Sequence, residues 1–325
     1  MQGRKDIAVK QSIPKHLRYT VEDFNREFPN DDACLEHIAE ERFPGGRAPC
    51  EKCGVERKHY RVSGRTAYAC DHCGNHIYPL AGTIFEKTTT SLRLWFYAMY
   101  LMGSTRCGIS AKQIQRETGV TYKTAWRMFR EIRTLLSEDL RLDGPTEMDE
   151  TYFGGRIRSH QRKERSHDNK TAIIGMVERK GRAVAKTAIS AGARTLHRLA
   201  KEHILPSNTV YTDEATGYDK LASLTDDAGK NLGYKHRRIH HSSKIYVMGD
   251  IHTNTVEGFW SLIKRGIGGV YHAVSQKYLQ TYLDEYTFRY NRRDQGNLLF
   301  KSILAEVSKR ASKSRASVGS EIPRE

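Results

Sequence analysis

The stretch "DGPTEMDETYFGGR", residues 143–156, marks a change in the pattern of the chain. Before it, apolar residues recur at helical spacing. After it, short apolar runs lie between turn residues, which is typical of strands. Strands are predicted near 146–153, at 171–179 and at 183–190. The second half of the chain is therefore expected to form a sheet.

Helices and strands alternate further along the chain. A helix is predicted at 193–204, a strand at 208–215 and a weaker strand at 235–241, and further helices at 252–265 and 275–293. Strands that alternate with helices in this order predict a mixed α/β fold, in which helices pack on the faces of a mixed sheet.

The residues upstream of this sheet differ in composition. Residues 18–45 have helical apolar spacing, 46–86 are rich in Cys, Gly and Tyr and predict hairpins, and 91 to about 140 predict helices. The predicted parts are a lead-in with a helical segment at 1–45, a cysteine-rich domain at 46–86, a helical region at 87–142, the sheet domain at 143–305 and a polar, Ser-rich tail at 306–325, expected to be disordered.

The charge of the chain points to an anionic partner. Its 325 residues carry a formal net charge of +16, from 54 Lys and Arg against 38 Asp and Glu. Such a charge favours polyanions through phosphate contacts and counterion release. A membrane surface is the rival polyanion, but the sequence has no apolar run of transmembrane length and its first residues lack the apolar core of a signal peptide. We expect a soluble intracellular protein.

Four of the six cysteines form two tight pairs, "CEKC" at 50–53 and "CDHC" at 70–73, and a glycine directly follows each pair. Two such pairs can supply four thiolates from two hairpin turns to one tetrahedral Zn²⁺. The alternatives are redox-active CxxC motifs or buried thiols, which the duplicated spacing disfavours. We predict a zinc ribbon with one structural zinc ion, held by Cys50, Cys53, Cys70 and Cys73.

The segment "GISAKQIQRETGVTYKTAWRMFREIRTLL", residues 108–136, predicts two helices joined at Gly119, the second opened by Thr121. This is the pattern of a helix-turn-helix, and the basic charge favours DNA over the alternative of a plain helical hairpin. The residues expected in its core are Ile109, Ile114, Val120, Ala125, Phe129 and Ile132. The outward residues expected to bind DNA are Tyr122, Lys123, Arg127 and Arg130.

The stretch "HTNTVEGFWSLIKR", residues 252–265, predicts a helix with two different faces. At about 100° per residue, Glu257 and Lys264 lie nearly in line along one side. The apolar residues of the opposite arc are Val256, Phe259, Trp260 and Ile263. One interpretation needs no chemistry, because Asn254 with Glu257 three residues later fits a helix-capping box.

Two further acids accompany the predicted strands. Asp149 lies inside the first strand and Asp213 follows the run "TVY". With Glu257 they offer hard oxygen ligands, which suit Mg²⁺, and two such ions roughly 4 Å apart can promote phosphodiester chemistry. Each Asp precedes a Glu, so Glu150 and Glu214 are alternative ligands, and strand parity alone does not decide which acid faces the site.

The chain resembles the IS1595 family of bacterial insertion-sequence transposases, whose catalytic part is called the ISXO2-like domain. The resemblance covers about residues 20 to 300. It rests on the upstream zinc ribbon, "EMDETYFGGR" at 147–156, "YTDEATGYDKL" at 211–221 and "HTNTVEGFWSLIKRGIGGVYHAVSQKYLQTYLDEYTFRYNRR" at 252–293.

This resemblance implies an RNase H-like fold with a DDE active site. Asp149, Asp213 and Glu257 would be the ligands of two Mg²⁺ or Mn²⁺ ions, and Lys264 with the neighbouring Arg265 would contact DNA. It also implies hydrolysis at the element ends, followed by attack of the freed 3′-hydroxyl on target DNA. The implied partners are the terminal inverted repeats, target DNA and further copies of the chain, on the nucleoid in the bacterial cytoplasm.

Two rival functions remain open at this point. A DNA-binding regulator, with a zinc ribbon, a helix-turn-helix and a catalytically silent sheet domain, would explain the charge equally well. An RNase H-like nuclease that cuts without joining strands would use the same acids, since hydrolysis and strand transfer need the same metal ligands.

Overall fold

The computed structural model describes residues 14–105, 107–154, 170–239 and 253–319. The α-helices of these ranges are α1 (Val21–Glu27), α2 (Asp31–Arg42), α3 (Leu92–Ser104), α4 (Ala111–Thr118), α5 (Tyr122–Thr134), α6 (Ala193–His203), α7 (Asn254–Gly266), α8 (Gln276–Asn291) and α9 (Leu299–Gly319). The strands are β1 (Arg47–Pro49), β2 (Glu56–Arg61), β3 (Tyr68–Cys70), β4 (His76–Ile77), β5 (Thr146–Phe153), β6 (Thr171–Glu178), β7 (Ala183–Ala188), β8 (Thr209–Thr212) and β9 (Lys235–Arg238).

The chain divides into two compact units. One contains the residues up to Leu135 and those from Arg293 onward, and the other spans Leu136–Arg292. Residues 293–305, predicted to belong to the sheet domain, therefore belong to the first unit. The end of the predicted weaker strand, His240 and His241, lies outside the described residues.

Helix α9 explains this difference from the predicted boundary. Its buried apolar residues recur at helical spacing and pack in the first unit; they are Leu299, Phe300, Ile303, Leu304 and Val307. A methyl group at Gly103 of α3 would lie 2.6 Å from the backbone nitrogen of Phe300, so the two helices touch closely. The prediction of a disordered tail from residue 306 is wrong as far as Gly319, because α9 continues to that residue.

In the first unit, a small antiparallel sheet has the order β1-β2-β3-β4 and carries the cysteine pairs at its turns. Helices α1 and α2 precede it, and each begins at a side-chain cap, Thr20 and Asn30 respectively. The hairpins predicted for this cysteine-rich part are present.

The second unit is built on a five-stranded sheet of order β7-β6-β5-β8-β9. Strands β5, β6 and β7 pair antiparallel, whereas β8 joins the other edge of β5 in parallel and β9 joins β8 in parallel. This order and these directions are those of the RNase H-like fold, so the predicted mixed α/β fold class is confirmed.

Helices cover both faces of this sheet. Strand β6 is buried along all eight residues because it lies between the two layers. Ile174 and Met176 pack with α6 on one face, and Ile173 and Val177 pack with α7 and α8 on the other. The face with α7 is where the third predicted acid approaches the sheet. No helix within the described ranges has the length and hydropathy to cross a membrane.

Candidate functional site

The four paired cysteines converge on one point. Their sulfur atoms all lie within 4.8 Å of one another, with 3.5 Å between Cys50 and Cys73 and 3.9 Å between Cys53 and Cys70. Four sulfurs at 2.3 Å from a central zinc ion would stand about 3.8 Å apart, so the residues fit a tetrahedral zinc site. Four thiolates fill the coordination sphere, which suits a structural role.

Two similar turns place these thiols. The amide of Gly54 donates to the carbonyl of Cys50 at 2.9 Å, and the amide of Gly74 donates to the carbonyl of Cys70 at 3.1 Å. Both glycines have a left-handed backbone, with φ of 71° and 69°. A side chain would strain this conformation, which explains why glycine directly follows each pair.

The two predicted aspartates lie side by side at one end of the parallel strand pair. Strand β5 pairs with β8 through Thr146 opposite Val210 and Glu147 opposite Tyr211. If this register continues, Asp149 of β5 lies opposite Asp213, the residue that directly follows β8. Neighbouring parallel strands therefore present one carboxylate each at nearly the same height.

The third acid, Glu257, comes from helix α7. It lies close enough to Asp149 for its charge to affect the pKa of Asp149. Burial raises the pKa of Asp149, and the negative charges of Asp213 and Glu257 raise that pKa further. Hydrogen bonds from the Trp260 indole and from the backbone of Glu150 act in the opposite direction. A half-buried carboxylate with two acidic neighbours is a site where a cation stabilises the charged form.

An open cleft of about 450 Å³ contains most of the predicted catalytic residues. It is lined by Asp149, Glu150, Thr151, Glu257, Trp260, Ser261, Lys264 and Arg265. Asp213 is not part of this lining, although it lies at the end of the adjacent strand. Among the described residues, the cysteines alone form a group of three or more ligand atoms within 4.8 Å, so the acids are more widely spaced. Wider spacing is expected of a two-ion site, whose outer ligands contact different ions.

The second acid of each pair has different surroundings from the first. Glu150 accepts a hydrogen bond of 2.5 Å from the hydroxyl of buried Tyr218, which belongs to the core on the α6 face. Asp149 instead accepts a bond of 2.8 Å from Trp260 of α7. Glu214 is exposed beside Asp213. The contacts therefore favour Asp149 as the acid that faces α7.

Comparison with known proteins shows the family of the chain. The ISXO2-like transposase domain matches residues 141–291, and the transposase zinc-ribbon domain matches residues 29–76. The chain belongs to the IS1595 family of transposases. The family predicted from the sequence is thereby confirmed. The ribbon match begins at residue 29 and so includes α2, which the sequence-based division placed before the ribbon.

Similar proteins are also found beyond the IS1595 domain matches. An uncharacterized protein in transposable element ISH50 of Halobacterium salinarum (strain ATCC 700922 / JCM 11081 / NRC-1) is 29% identical over 283 residues, which cover 81% of this chain and 92% of the relative. A chain of the crystal structure of a pre-cleavage Mos1 transpososome is similar with a TM-score of 0.25 and 12% identity, over 66% of this chain and 75% of that chain.

In this member of the transposase family, Trp260 has a role that the sequence analysis missed by assigning it to the core alone. It is buried against β6, where a methyl group at Gly175 would come within 2.5 Å of the indole ring. Its Nε1–H donates to Oδ2 of Asp149 at 2.8 Å. The sequence does not show that the Trp260 indole packs on Gly175 and binds Asp149, because these residues are far apart in the chain.

We expect Trp260→Phe to lower the free energy of unfolding by about 2 kcal/mol, because the core loses ring volume and Asp149 loses a donor. Urea denaturation without added divalent ions measures this loss. Trp126→Phe is the matched control, since Trp126 is half-buried in the first unit and its loss should cost less. Equal losses for the two variants would contradict the role given to Trp260.

The start of α7 also differs from its predicted form. The N-cap residue is Thr253, which makes no side-chain capping bond among the described residues, and Asn254 is the first helical residue. The alternative interpretation of Asn254 and Glu257 as a capping box is therefore wrong. Instead, Oε2 of Glu147 on β5 accepts from the amides of Thr255 at 2.8 Å and Val256 at 2.9 Å.

The two helices of the predicted helix-turn-helix are present in the first unit. Ser110 and Thr121 cap α4 and α5, and Gly119 between them has φ of 69°. The predicted core residues are buried except Val120, which is half-buried because it lies in the turn before the second cap. The four residues predicted to bind DNA are all exposed: Tyr122, Lys123, Arg127 and Arg130.

Proposed function

We propose that this chain binds the terminal inverted repeats of an insertion sequence, cleaves DNA at the element ends and joins the freed 3′-hydroxyls to target DNA. The observation that carries the proposal is the convergence of three acids at the end of the β5–β8 pair and on α7, with Lys264 in the same cleft. This arrangement supplies the ligands for a two-metal phosphodiester reaction.

The proposed ligands of two Mg²⁺ or Mn²⁺ ions are Asp149, Asp213 and Glu257. Carboxylate oxygens are the ligands that these ions prefer, and the mutual repulsion of the acids is relieved by bound cations. When bound, the ions would activate the attacking oxygen and stabilise the leaving oxygen of the phosphodiester. Water would attack the phosphorus at the element end, and the P–O3′ bond would break to leave a 3′-hydroxyl and a 5′-phosphate. This hydroxyl would then attack a target phosphodiester in line, and the 3′-oxygen of the target strand would leave.

Lys264 and Arg265 are the proposed DNA contacts of this cleft. Both are exposed on α7, where Lys264 lies two helical turns beyond Glu257 on the same side. Their cationic groups would hold a phosphate of the cleaved or the target strand beside the acids. Trp260 would keep the Asp149 carboxylate turned toward α7 through its indole hydrogen bond.

We further propose that the first unit recognises the element ends. Exposed basic residues at the start of a second helix are suited to the major groove. The guanidinium carbon of Arg127 lies 5.6 Å from the ring centre of Trp95, and that of Arg130 lies 5.3 Å from the ring centre of Trp126. Packing on these rings restrains both side chains near the helix surface. The zinc ribbon would support this contact, and paired ends would bring two or more copies of the chain together.

We expect Lys123→Ala to weaken binding to the terminal-repeat duplex and to reduce the salt slope of log Kd by about 1, which is the loss of one phosphate contact. Fluorescence anisotropy at several salt concentrations measures this slope. Arg194→Ala removes an exposed positive charge from α6 and is the matched control. A slope that changes equally in both variants would contradict recognition through α5.

The joining step separates a transposase from a nuclease. The experiment supplies a pre-cut element end with a free 3′-hydroxyl, target plasmid and Mg²⁺ or Mn²⁺. Covalent joining of the labelled end to the plasmid is the expected result, and Glu257→Gln should abolish it. Cutting of an intact end without any joining of the pre-cut end would favour the nuclease. Neither reaction, with specific DNA binding retained, would favour the regulator.

A further inference from the structure

A buried carboxylate lies two residues before Asp149 on the same strand. Glu147 is fully buried on β5, and each of its oxygens accepts at least two hydrogen bonds. Oε2 accepts from the amides of Thr255 and Val256, and Oε1 accepts from the Thr255 hydroxyl at 2.9 Å and from Nε of Arg179 at 2.9 Å. A single side chain thus ties the start of α7 to the central sheet.

Arg179 extends this contact to the neighbouring strand. Its side chain is 17% exposed and forms the ion pair with Glu147. Its guanidinium carbon lies 3.7 Å from the ring centre of Tyr211 on β8, and its amide donates to the carbonyl of Pro145 at 2.9 Å. The cluster of buried Glu147 with half-buried Arg179, Tyr211 and Thr255 therefore connects β5, β8 and α7.

Each proposed metal ligand follows a member of this cluster by two residues. The pairs are Glu147 with Asp149, Tyr211 with Asp213, and Thr255 with Glu257. In a strand, residues two apart lie on the same face, so in β5 the buried carboxylate and the acid face α7 together. A shift of the cluster would therefore move all three acids relative to one another.

We propose that Glu147, with Arg179, is a positioning residue that sets the separation of Asp149, Asp213 and Glu257. This inference rests on the function proposed above and adds residues outside the ligand set. A cap from the residue before a helix fixes only the local entry of the chain, whereas a cap from β5 fixes the helix against the sheet. The negative charge at the N-terminus of α7 also matches the helix dipole.

A neutral side chain would not serve in the same way. Burying an ion pair costs desolvation free energy, so the pair of Glu147 and Arg179 need not stabilise the fold, and we assign it to positioning instead. Glu147 offers four acceptor positions, and all four are used. Replacing one oxygen by an amide group removes acceptors that the first turn of α7 and Arg179 need.

The test compares Glu147→Gln with the wild-type chain. We expect the Kd for Mn²⁺ to rise about 10-fold or more, which is the usual effect of losing a residue that orients metal ligands. Electron paramagnetic resonance on the DNA-free protein measures this Kd. We expect end cleavage to slow by about 100-fold, as for ligands misplaced by about 1 Å. Amide hydrogen exchange should be faster in the first turn of α7, while binding to the terminal-repeat duplex stays unchanged.

Two further variants keep the test decisive. Thr255→Val replaces only the hydroxyl group that binds Glu147, and it should also raise the Kd for Mn²⁺. This variant provides the test if Glu147→Gln does not fold. Glu178→Gln is the matched control, because Glu178 is 5% exposed, accepts from the amides of Asp143 and Gly144 and pairs with Arg182, yet touches no residue of α7 through these contacts.

The outcomes separate this inference from the proposed function. Wild-type Mn²⁺ affinity in both Thr255→Val and a folded Glu147→Gln would overturn the positioning role, as would an equal loss in Glu178→Gln. If the wild-type chain binds Mn²⁺ but cuts no DNA, the proposed function fails, and the Mn²⁺ affinities of the variants still decide the positioning role.

Discussion

Asp149→Asn is expected to reduce metal-dependent cleavage of the element end by on the order of 10³-fold or more, since a lost ligand removes several kcal/mol of charge stabilisation from the transition state. The fold should persist. Asparagine retains an oxygen that can accept from the Trp260 indole, and the substitution removes one charge from a half-buried acidic cluster. Single-turnover cleavage of a labelled terminal-repeat duplex measures the effect.

Glu214→Gln provides the matched control for this variant. Glu214 is an exposed acid next to Asp213 and does not line the cleft, so its neutralisation should leave the cleavage rate near the wild-type value. Both variants should bind the duplex as the wild-type chain does. Equal cleavage rates for Asp149→Asn and Glu214→Gln would contradict the assignment of Asp149 as a metal ligand.

Cys70→Ser is expected to abolish zinc binding and to unfold the ribbon. A closed site of four thiolates contributes about 10 kcal/mol or more to the folding of a small zinc domain, which has little other core. Metal analysis should show one zinc per wild-type chain and none in the variant. Proteolysis should then cut within residues 46–86, and binding to the element end should be lost with the ribbon.

Cys107→Ser tests whether the loss of zinc and of the ribbon fold is specific to the four clustered cysteines. Cys107 is exposed and lies outside the four-sulfur group, so the variant should keep one zinc ion and the wild-type protease pattern. A Cys70→Ser chain that retains stoichiometric zinc and resists protease would show that the site is not a four-thiolate structural centre.

The elements of this structure that follow from local sequence were predictable. Strand β6 contains an uninterrupted apolar run from Ala172 to Val177, and the turns at Gly54 and Gly74 follow from the spacing of the cysteine pairs. Helices α4 and α5 were predictable from their N-caps and from Gly119, because capping is a contact between near neighbours in the chain.

The features that depend on distant contacts were not predictable. The fully buried Glu147 contacts residues 108 and 109 positions away, and no local pattern distinguishes it from an exposed strand acid. The choice between Asp149 and Glu150 likewise depends on which partner, Trp260 or Tyr218, lies on each face of the sheet. Helix α9 was not predicted, and residues 293–305 were assigned to the wrong unit, because an apolar stripe does not reveal its partner.

The most direct test of the central claim uses the element's own end. Purified chain is incubated with a labelled duplex carrying the terminal repeat and Mg²⁺ or Mn²⁺, beside Asp213→Asn. We predict nicking at the repeat boundary that requires the metal ion and disappears in the variant. Specific binding without any nicking, unchanged by the substitution, would contradict the acid site and leave this chain as a DNA-binding regulator.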